Sequence, residues 1–319
     1  MIENFIFSAN AVIPIFVVVA FGYFLKLRGH ISVKVADEMN KLVFSFALPF
    51  LLFRNIYQAD FVSLFDGRFI LWILGSITIG FLSLWIFAEV FLRNRQELIG
   101  AFVQAGARPN FAIVGIPLAA NILGDADTGK AALAAAFIVI ANNIMSVIVL
   151  TAKNTEVKGF DAFLFKNTIV GICKNPSVIG IVLAIALNLL NLPIPFIIWQ
   201  GVNSIAILCT PMALIAVGAS IKIPEIMATL KPALVASTFK TVILPLLFVT
   251  ISAALGFYGE SLIVLFLAFA SPTAIVSYTM AANMNGSTAI TSSIILITTV
   301  FSSVTLTIGV YILRTLALI

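Results

Sequence analysis

Apolar residues along the chain fall into runs of roughly 20, separated by short polar pieces. A helical run of this length matches the thickness of the hydrocarbon core of a bilayer. No polar piece is long enough to form a separate soluble domain. The pattern predicts an all-α polytopic membrane protein with ten spans, at approximately residues 5–26, 36–57, 69–92, 97–123, 130–151, 168–190, 196–220, 231–256, 260–283 and 288–313.

Composition and charge agree with a membrane protein. Of the 319 residues, 61% are hydrophobic and 10% are charged, and the mean hydropathy is +1.16. Soluble domains are on average nearer half apolar and a quarter charged. The net charge of +5 comes from bases at the ends of spans and not from one basic patch, so nucleic acid is not an expected partner, whereas the lipid bilayer is.

Lysine and arginine predict the orientation in the membrane. Loops that follow odd-numbered spans hold 11 of the 18 bases, the opposite side holds 4, and 3 lie within spans. Because basic loops stay on the cytoplasmic side, both termini are expected outside and the loop 152–167 inside.

Prolines and glycines recur at a fixed offset. The landmark pairs Pro14/Pro176, Pro49/Pro211 and Gly124/Gly286 are 162 residues apart, and Pro109/Pro272 are 163 apart. This spacing predicts two copies of a five-span unit, residues 1–151 and 168–319, joined by the linker 152–167. Because five is odd, the second copy is inverted, an arrangement common in secondary transporters. The alternative is a chance match among the prolines that membrane helices often contain.

The paired Pro109 and Pro272 lie in the middle of spans 4 and 9. Proline removes a helical hydrogen bond, and in hydrocarbon the freed backbone is tolerated only beside protein or a water-filled cavity. The polar residues around the two prolines are Gln104, Arg108, Asn110, Ser271, Thr273, Ser277, Asn283 and Asn285. Two interrupted helices at equivalent positions of inverted repeats indicate a substrate site at the membrane midplane, although simple kinks are the alternative.

Two bases, Arg108 and Lys240, lie near mid-depth, whereas every acid lies near a span end or in a loop. A central charge costs about 2.5 to more than 10 kcal/mol, which makes it a functional candidate. Bases without acids favour an anionic substrate. The alternatives are structural: Lys240 can snorkel to the interface or satisfy the broken backbone.

Helices that restart after a break present free N–H groups, which suit a carboxylate. Asn110 and Thr273 stand there and either cap those helices or bind the ligand. Asn142 and Asn143 in span 5 either line the cavity or bond neighbouring helices. The predicted substrate-binding residues are Arg108, Pro109, Asn110, Asn142, Lys240, Ser271, Pro272, Thr273 and Ser277.

Enzymatic chemistry finds little support. Cys173, Cys209 and His30 have no metal-ligand spacing, and no central pair of acids is present. A G-x4-G-K run at 124–130 lacks both a preceding strand and a following Ser or Thr, so ATP binding is not expected. We predict a protein that is not an enzyme and that uses no metal and no cofactor.

Residues 109–118, PNFAIVGIPL, resemble the P-N-x4-G-I-P-L motif in the fourth helix of the auxin efflux carrier family, which includes the plant PIN carriers and bacterial relatives. Residues 270–276, ASPTAIV, are similar to that family's A-L-P-x-G-I-V. The chain is therefore identified as a bacterial member, without the long hydrophilic loop of the plant carriers.

The resemblance implies a PIN-like and NhaA-like architecture in which spans 4 and 9 cross at their prolines. Spans 1, 2, 6 and 7 would form a scaffold domain, and spans 3–5 and 8–10 a transport domain. It further implies elevator-type transport of small organic anions, malonate-like or auxin-like, by a homodimer in the cell membrane of a bacterium. Asn110 falls on the family's crossover asparagine, which contacts the substrate carboxylate. The competing function is a membrane sensor or regulator that binds the same ligand without transporting it.

Overall fold

The computed structural model describes residues 2–58, 65–124, 128–152, 176–220 and 229–319. In this part of the chain the regular elements are helices, with no β-strand. In chain order the α-helices are α1 (Ile2–Leu27), α2 (Val33–Leu42), α3 (Leu48–Gln58), α4 (Gly67–Phe91), α5 (Ile99–Ala107), α6 (Ile116–Leu123), α7 (Gly129–Ala152), α8 (Pro176–Leu189), α9 (Phe196–Ala219), α10 (Leu230–Thr238), α11 (Leu244–Ala254), α12 (Gly259–Ala270), α13 (Val276–Asn283) and α14 (Thr288–Thr315).

Six helical stretches within the described ranges are long and apolar enough to cross a membrane. They are Ile2–Leu27, Gly67–Phe91, Gly129–Ala152, Phe196–Ala219, Leu230–Ala254 and Thr288–Thr315. Shorter apolar helices are Phe111–Leu123, Pro176–Leu189 and Gly259–Ala270. Their lengths and composition support a multi-pass membrane protein. Residues 168–175 of the sixth predicted span, and the predicted linker beyond Ala152, lie outside the described residues.

In the described ranges three π-helical turns interrupt the α-helical geometry, at Val43–Ala47, Phe111–Gly115 and Phe239–Ile243. The second residue after each turn is a proline: Pro49, Pro117 and Pro245. A proline ring clashes with the carbonyl four residues earlier, and the wider π turn relieves that clash without ending the helix. The helices therefore continue through Pro49, Pro117 and Pro245, whereas they are interrupted at Pro109 and Pro272.

Small residues allow some helices to approach closely. A Cβ atom on Gly22 or Gly218 would collide with backbone atoms of the facing helix in the pair α1 and α9. A Cβ atom on Gly180 of α8 would lie 2.8 Å from the carbonyl oxygen of Pro49 in α3. Such contacts give helices in lipid the van der Waals packing that holds them together.

Candidate substrate site

The two helices with central prolines unwind and meet at their breaks. Segment 108–110 runs antiparallel beside segment 272–274, and Pro109 forms an isolated β-bridge with Thr273. The backbone N–H of Asn110 donates to the carbonyl of Pro272 at 2.7 Å. In the other direction, the backbone N–H of Ala274 donates to the carbonyl of Arg108 at 3.3 Å. Each break thus supplies hydrogen-bond partners for backbone groups of the other, and lipid hydrocarbon could not supply such partners.

Side chains satisfy other carbonyls at these breaks. The Thr273 hydroxyl donates to the carbonyl of Ala105 near the end of α5, at 2.7 Å. The ammonium group of Lys240 donates to the carbonyl of Phe269 near the end of α12, at 2.6 Å. Lys240 is fully buried, so this bond places a cation at the negative end of a helix, where the helix dipole favours it.

A cavity of about 240 Å³ opens beside the first break. Its walls come from the π turn between α2 and α3, the start of α8, the two breaks and the middle of α7. The lining residues are Phe44, Ser45, Leu48, Arg108, Pro109, Asn110, Phe111, Ala112, Ile138, Val139, Asn142, Asn143, Pro176, Ser177, Ala274 and Val276. The lining is mostly apolar with a few polar groups, as is typical of small-molecule sites.

Arg108 brings a positive charge to this cavity. Its backbone ends α5, and its side chain is 6% exposed. One guanidinium nitrogen donates to the Oδ1 atom of Asn143 at 2.6 Å, and the other donates to the Ser146 hydroxyl at 3.3 Å and contacts the sulfur of Met280. All three partners are neutral, so none of them compensates the positive charge of the guanidinium.

Asn110 and the helix that follows it add hydrogen-bond donors. The first hydrogen bond of that helix runs from the N–H of Val114 to the carbonyl of Asn110, at 2.9 Å. The N–H groups of the first helical turn have no partner within their own helix, and Phe111 and Ala112 of this turn line the cavity. The Asn110 side chain does not cap the turn, and no hydrogen bond joins it to the described residues.

Asn142 supplies an acceptor. Its Nδ2 atom donates to the carbonyl of Ile138 at 2.7 Å within α7. Its Oδ1 atom is buried and has no hydrogen-bond partner among the described residues. Buried polar atoms are rarely left unpaired, and this one belongs to a residue that lines the cavity. The wall therefore offers one positive charge and several N–H donors, and the unpaired Asn142 oxygen is buried beside them.

The structure brings some of the predicted residues together and not others. Arg108, Pro109, Asn110 and Asn142 line the cavity, and Pro272 and Thr273 form the paired backbone behind it. Lys240, Ser271 and Ser277 do not line it. The Ser271 hydroxyl bonds the carbonyl of Leu267 in its own helix at 2.6 Å, and the buried Ser277 hydroxyl has no partner in the described chain.

Sequence reasoning missed the walls contributed by distant helices. These walls come from elements that carry no break and no charge near the cavity, and their residues are Phe44, Ser45, Leu48 and Ser177. Pro49 was the available signal in the sequence, because a proline within an apolar span marks an interruption such as this π turn, and π turns are often found at functional sites. Asn143, expected either to line the cavity or to bond a neighbouring helix, does both, but its bond to Arg108 depends on how α7 packs beside α5.

Comparisons with known proteins identify the family of the chain. A family model described as membrane transport protein matches residues 7–310. An uncharacterised transporter of Methanothermobacter thermautotrophicus is 25% identical over 307 residues, covering 95% of this chain and 97% of that protein. The uncharacterised transporter YfdV of Escherichia coli is 28% identical over 284 residues, covering 88% and 89%. One from Methanocaldococcus jannaschii is 21% identical over 300 residues, covering 92% and 94%. The chain therefore belongs to the membrane transport protein family, the auxin efflux carrier family that its crossover motifs resemble.

Proposed function

We propose that the protein is a secondary transporter of small organic anions, malonate-like or auxin-like carboxylates, across the cell membrane. The observation that carries this proposal is the meeting of the Arg108 guanidinium, the Asn110 amide and the free N–H groups of a helix start at one cavity. A carboxylate accepts hydrogen bonds from all three kinds of donor. Within the described ranges no carboxylate pairs with Arg108, so a ligand would not have to displace one.

An inverted repeat is part of the proposal, and the helix packing supports it. Helix α1 packs on α9, and the counterparts of these two helices, α8 and α3, pack on each other. Likewise α4 packs on α7, as their counterparts α10 and α14 do. The same neighbours in both halves are what a duplicated five-span unit predicts, with ten spans in total.

Elevator-type movement is supported by the two sources of the cavity walls. Phe44, Leu48 and Ser177 belong to the proposed scaffold, spans 1, 2, 6 and 7. Arg108, Asn142 and the breaks belong to the proposed transport domain, spans 3–5 and 8–10. A site between two helix groups changes its accessibility when one group moves against the other.

The decisive experiment is uptake by proteoliposomes after a ligand screen. Binding to the folded state raises the melting temperature, so acetate, malonate, malate, benzoate and indole-3-acetate are screened by thermal shift. We then expect saturable flux of the stabilising anion. Saturable binding without flux would identify a sensor instead, and stabilisation by none of these anions would contradict the proposal.

Asn110→Ala tests the site within this function. A hydrogen bond to a charged group contributes about 1.5–3 kcal/mol, so affinity should fall about 10- to 150-fold with little change in melting temperature. The matched control is Asn121→Ala in α6 of the same span, whose Nδ2 atom bonds the carbonyl of Ala11. That variant should bind as the wild type does.

Cysteine labelling tests alternating access. Ala112 and Ala274 line the cavity from the two breaks and are 7% and 6% exposed. Cysteines placed there should change their labelling from each side of the membrane when the anion gradient is reversed. Simultaneous labelling from both sides would indicate an open pore and contradict a transporter.

We also propose a homodimer through the scaffold, with span 2 or span 7 at the interface. Helix α9 of span 7 exposes large apolar side chains, including Ile197, Ile205 and Leu208. The mass of the protein in lipid nanodiscs should correspond to two chains, and a monodisperse monomer would contradict this proposal.

A further inference from the structure

The side chains around Arg108 have an unusual feature: they hold a buried cation without neutralising it. The amide of Asn143, the hydroxyl of Ser146 and the thioether of Met280 contact the guanidinium. They come from two elements, α7 and α13. Within the described parts of the chain Arg108 forms no ion pair, whereas Arg95 pairs with Glu97 and Lys130 with Glu260.

We propose that Asn143 is a positioning residue that fixes the Arg108 guanidinium toward the cavity while leaving its charge available to the transported anion. This inference rests on the proposed function, because it assigns the anion selectivity of that site to the residue at position 143. Asn143 acts through Arg108, because its amide oxygen accepts a hydrogen bond from the guanidinium.

An amide is suited to this task because of its shape and its neutrality. The Oδ1 atom of Asn143 accepts at 2.6 Å, a distance at which a carboxylate oxygen of the same side-chain length would also accept. An aspartate would hold the guanidinium equally well, but it would also cancel the charge, and in a buried site that cancellation is only weakly screened. The neutral residue thus orients the base and preserves its attraction for anions.

The second contact supports the same reading. Ser146 lies nearly one helical turn after Asn143 on α7 and is fully buried. Its hydroxyl reaches the other guanidinium nitrogen at 3.3 Å. Two donors of the fork are thereby held by neutral acceptors on one helix face, and a third contacts the sulfur of Met280. The remaining donors are free for a carboxylate, which a guanidinium can bind with two parallel hydrogen bonds.

The test is Asn143→Asp in the full-length protein, reconstituted in nanodiscs. The ligand is whichever of acetate, malonate, malate, benzoate and indole-3-acetate stabilises the wild type most, and the neutral amide of the same acid is measured beside it. We expect the acid to bind about 10- to 150-fold more weakly, the range for losing a charge-assisted hydrogen bond. The melting temperature and the affinity for the amide should not fall, because the arginine stays in place.

Two further variants make the result specific. Asn143→Ala removes the holding contact but keeps the charge, so its loss of acid affinity should be smaller than that of Asn143→Asp. In an Arg108→Gln background, Asn143→Ala should cause little additional loss, because residues that act through one another are not additive. A purely structural role for Asn143 would give additive losses that affect the acid and its amide alike.

Ser146→Asp covers the case in which Asn143→Asp does not fold, because it brings a carboxylate to the same guanidinium from the next turn of α7. If either folded aspartate variant binds the acid as tightly as the wild type does, while Arg108→Gln binds it weakly, the inference about position 143 is wrong and the proposed function stands. If the wild type binds none of the five acids, the proposed function fails and this inference fails with it.

Discussion

The two broken helices meet at their prolines but differ in their chemistry. At the first break the cation, Arg108, belongs to the unwound segment itself and lines the cavity. At the second break the cation, Lys240, comes from a neighbouring helix and bonds the carbonyl of Phe269. The carbonyl of Ala105, before the first break, accepts instead from the neutral hydroxyl of Thr273.

This difference shows that a base in the middle of an apolar span can either face a cavity or satisfy the backbone of a broken helix. Both bases are central residues of apolar spans, and both are buried. Arg108 has neutral side-chain partners and faces open volume, whereas Lys240 is 0% exposed and does not line the cavity. We infer that Arg108 binds the ligand and that Lys240 stabilises the fold. Substitution of Lys240 should therefore lower stability and leave anion affinity unchanged, whereas substitution of Arg108 should lower mainly the anion affinity.

Lys240→Ala should have the largest effect, and it should act on stability. Truncating a long buried side chain leaves a cavity and costs about 2–5 kcal/mol, to which the unpaired carbonyl of Phe269 adds. Unfolding by denaturant in detergent micelles measures the loss. Lys231→Ala, at an exposed position of the same helical stretch Leu230–Ala254, is the control and should stay within about 0.5 kcal/mol.

The anion affinity of folded Lys240→Ala should stay close to that of the wild type. A variant that is as stable as the wild type but binds anions weakly would reverse the assignment and make Lys240 a ligand-binding residue.

Arg108→Gln should show the opposite behaviour. We expect anion affinity to fall about 10- to 150-fold, or about 1.5–3 kcal/mol, with a smaller loss of stability than Lys240→Ala causes. Arg108→Lys should restore only part of the affinity, because an ammonium group cannot form the paired bonds of a guanidinium. Isothermal titration with the stabilising anion measures both variants.

The control is Arg314→Gln near the end of α14. The Arg314 guanidinium lies over the ring of Phe7, 3.7 Å from its centroid, and does not line the cavity beside the first break. Its affinity should equal that of the wild type. Equal affinity in Arg108→Gln and Arg314→Gln would show that the first break merely stabilises a kinked helix.

Thr273→Val should have a smaller effect on stability than Lys240→Ala. The change keeps the shape of the side chain but leaves the carbonyl of Ala105 without its donor, at a cost of about 1–3 kcal/mol. Thr250→Val is the matched control, because the Thr250 hydroxyl bonds only the carbonyl of Leu246 in its own helix at an exposed position. Denaturant unfolding should separate the two variants, and equal stabilities would contradict a capping role for Thr273.

The sequence predicted most of the helices because apolar runs of bilayer length and their prolines are local signals. It also predicted the breaks, since a central proline in hydrocarbon requires a satisfied backbone nearby. The sequence left the role of Lys240 open between ligand contact, snorkelling and support of the broken backbone, because the deciding contact is not local: its bond to Phe269 joins α12 to the π turn between α10 and α11. The same limit applies to Ser177, whose place in the cavity wall depends on how α8 packs.

Ser277→Ala should have the smallest effect, and its sign is informative. The Ser277 hydroxyl is fully buried in α13 and has no hydrogen-bond partner among the described residues. Replacing an unsatisfied buried polar group with an apolar one is nearly neutral or stabilising, so the free energy of unfolding should be unchanged or rise by up to about 1 kcal/mol. Because Ser277 does not line the cavity, anion affinity should not change. Ser271→Ala, which loses only a bond within its own helix, provides the comparison. If Ser277→Ala instead weakens anion binding severalfold while Ser271→Ala does not, the second break contacts the ligand as the first one does, and the division of roles between the two breaks is wrong.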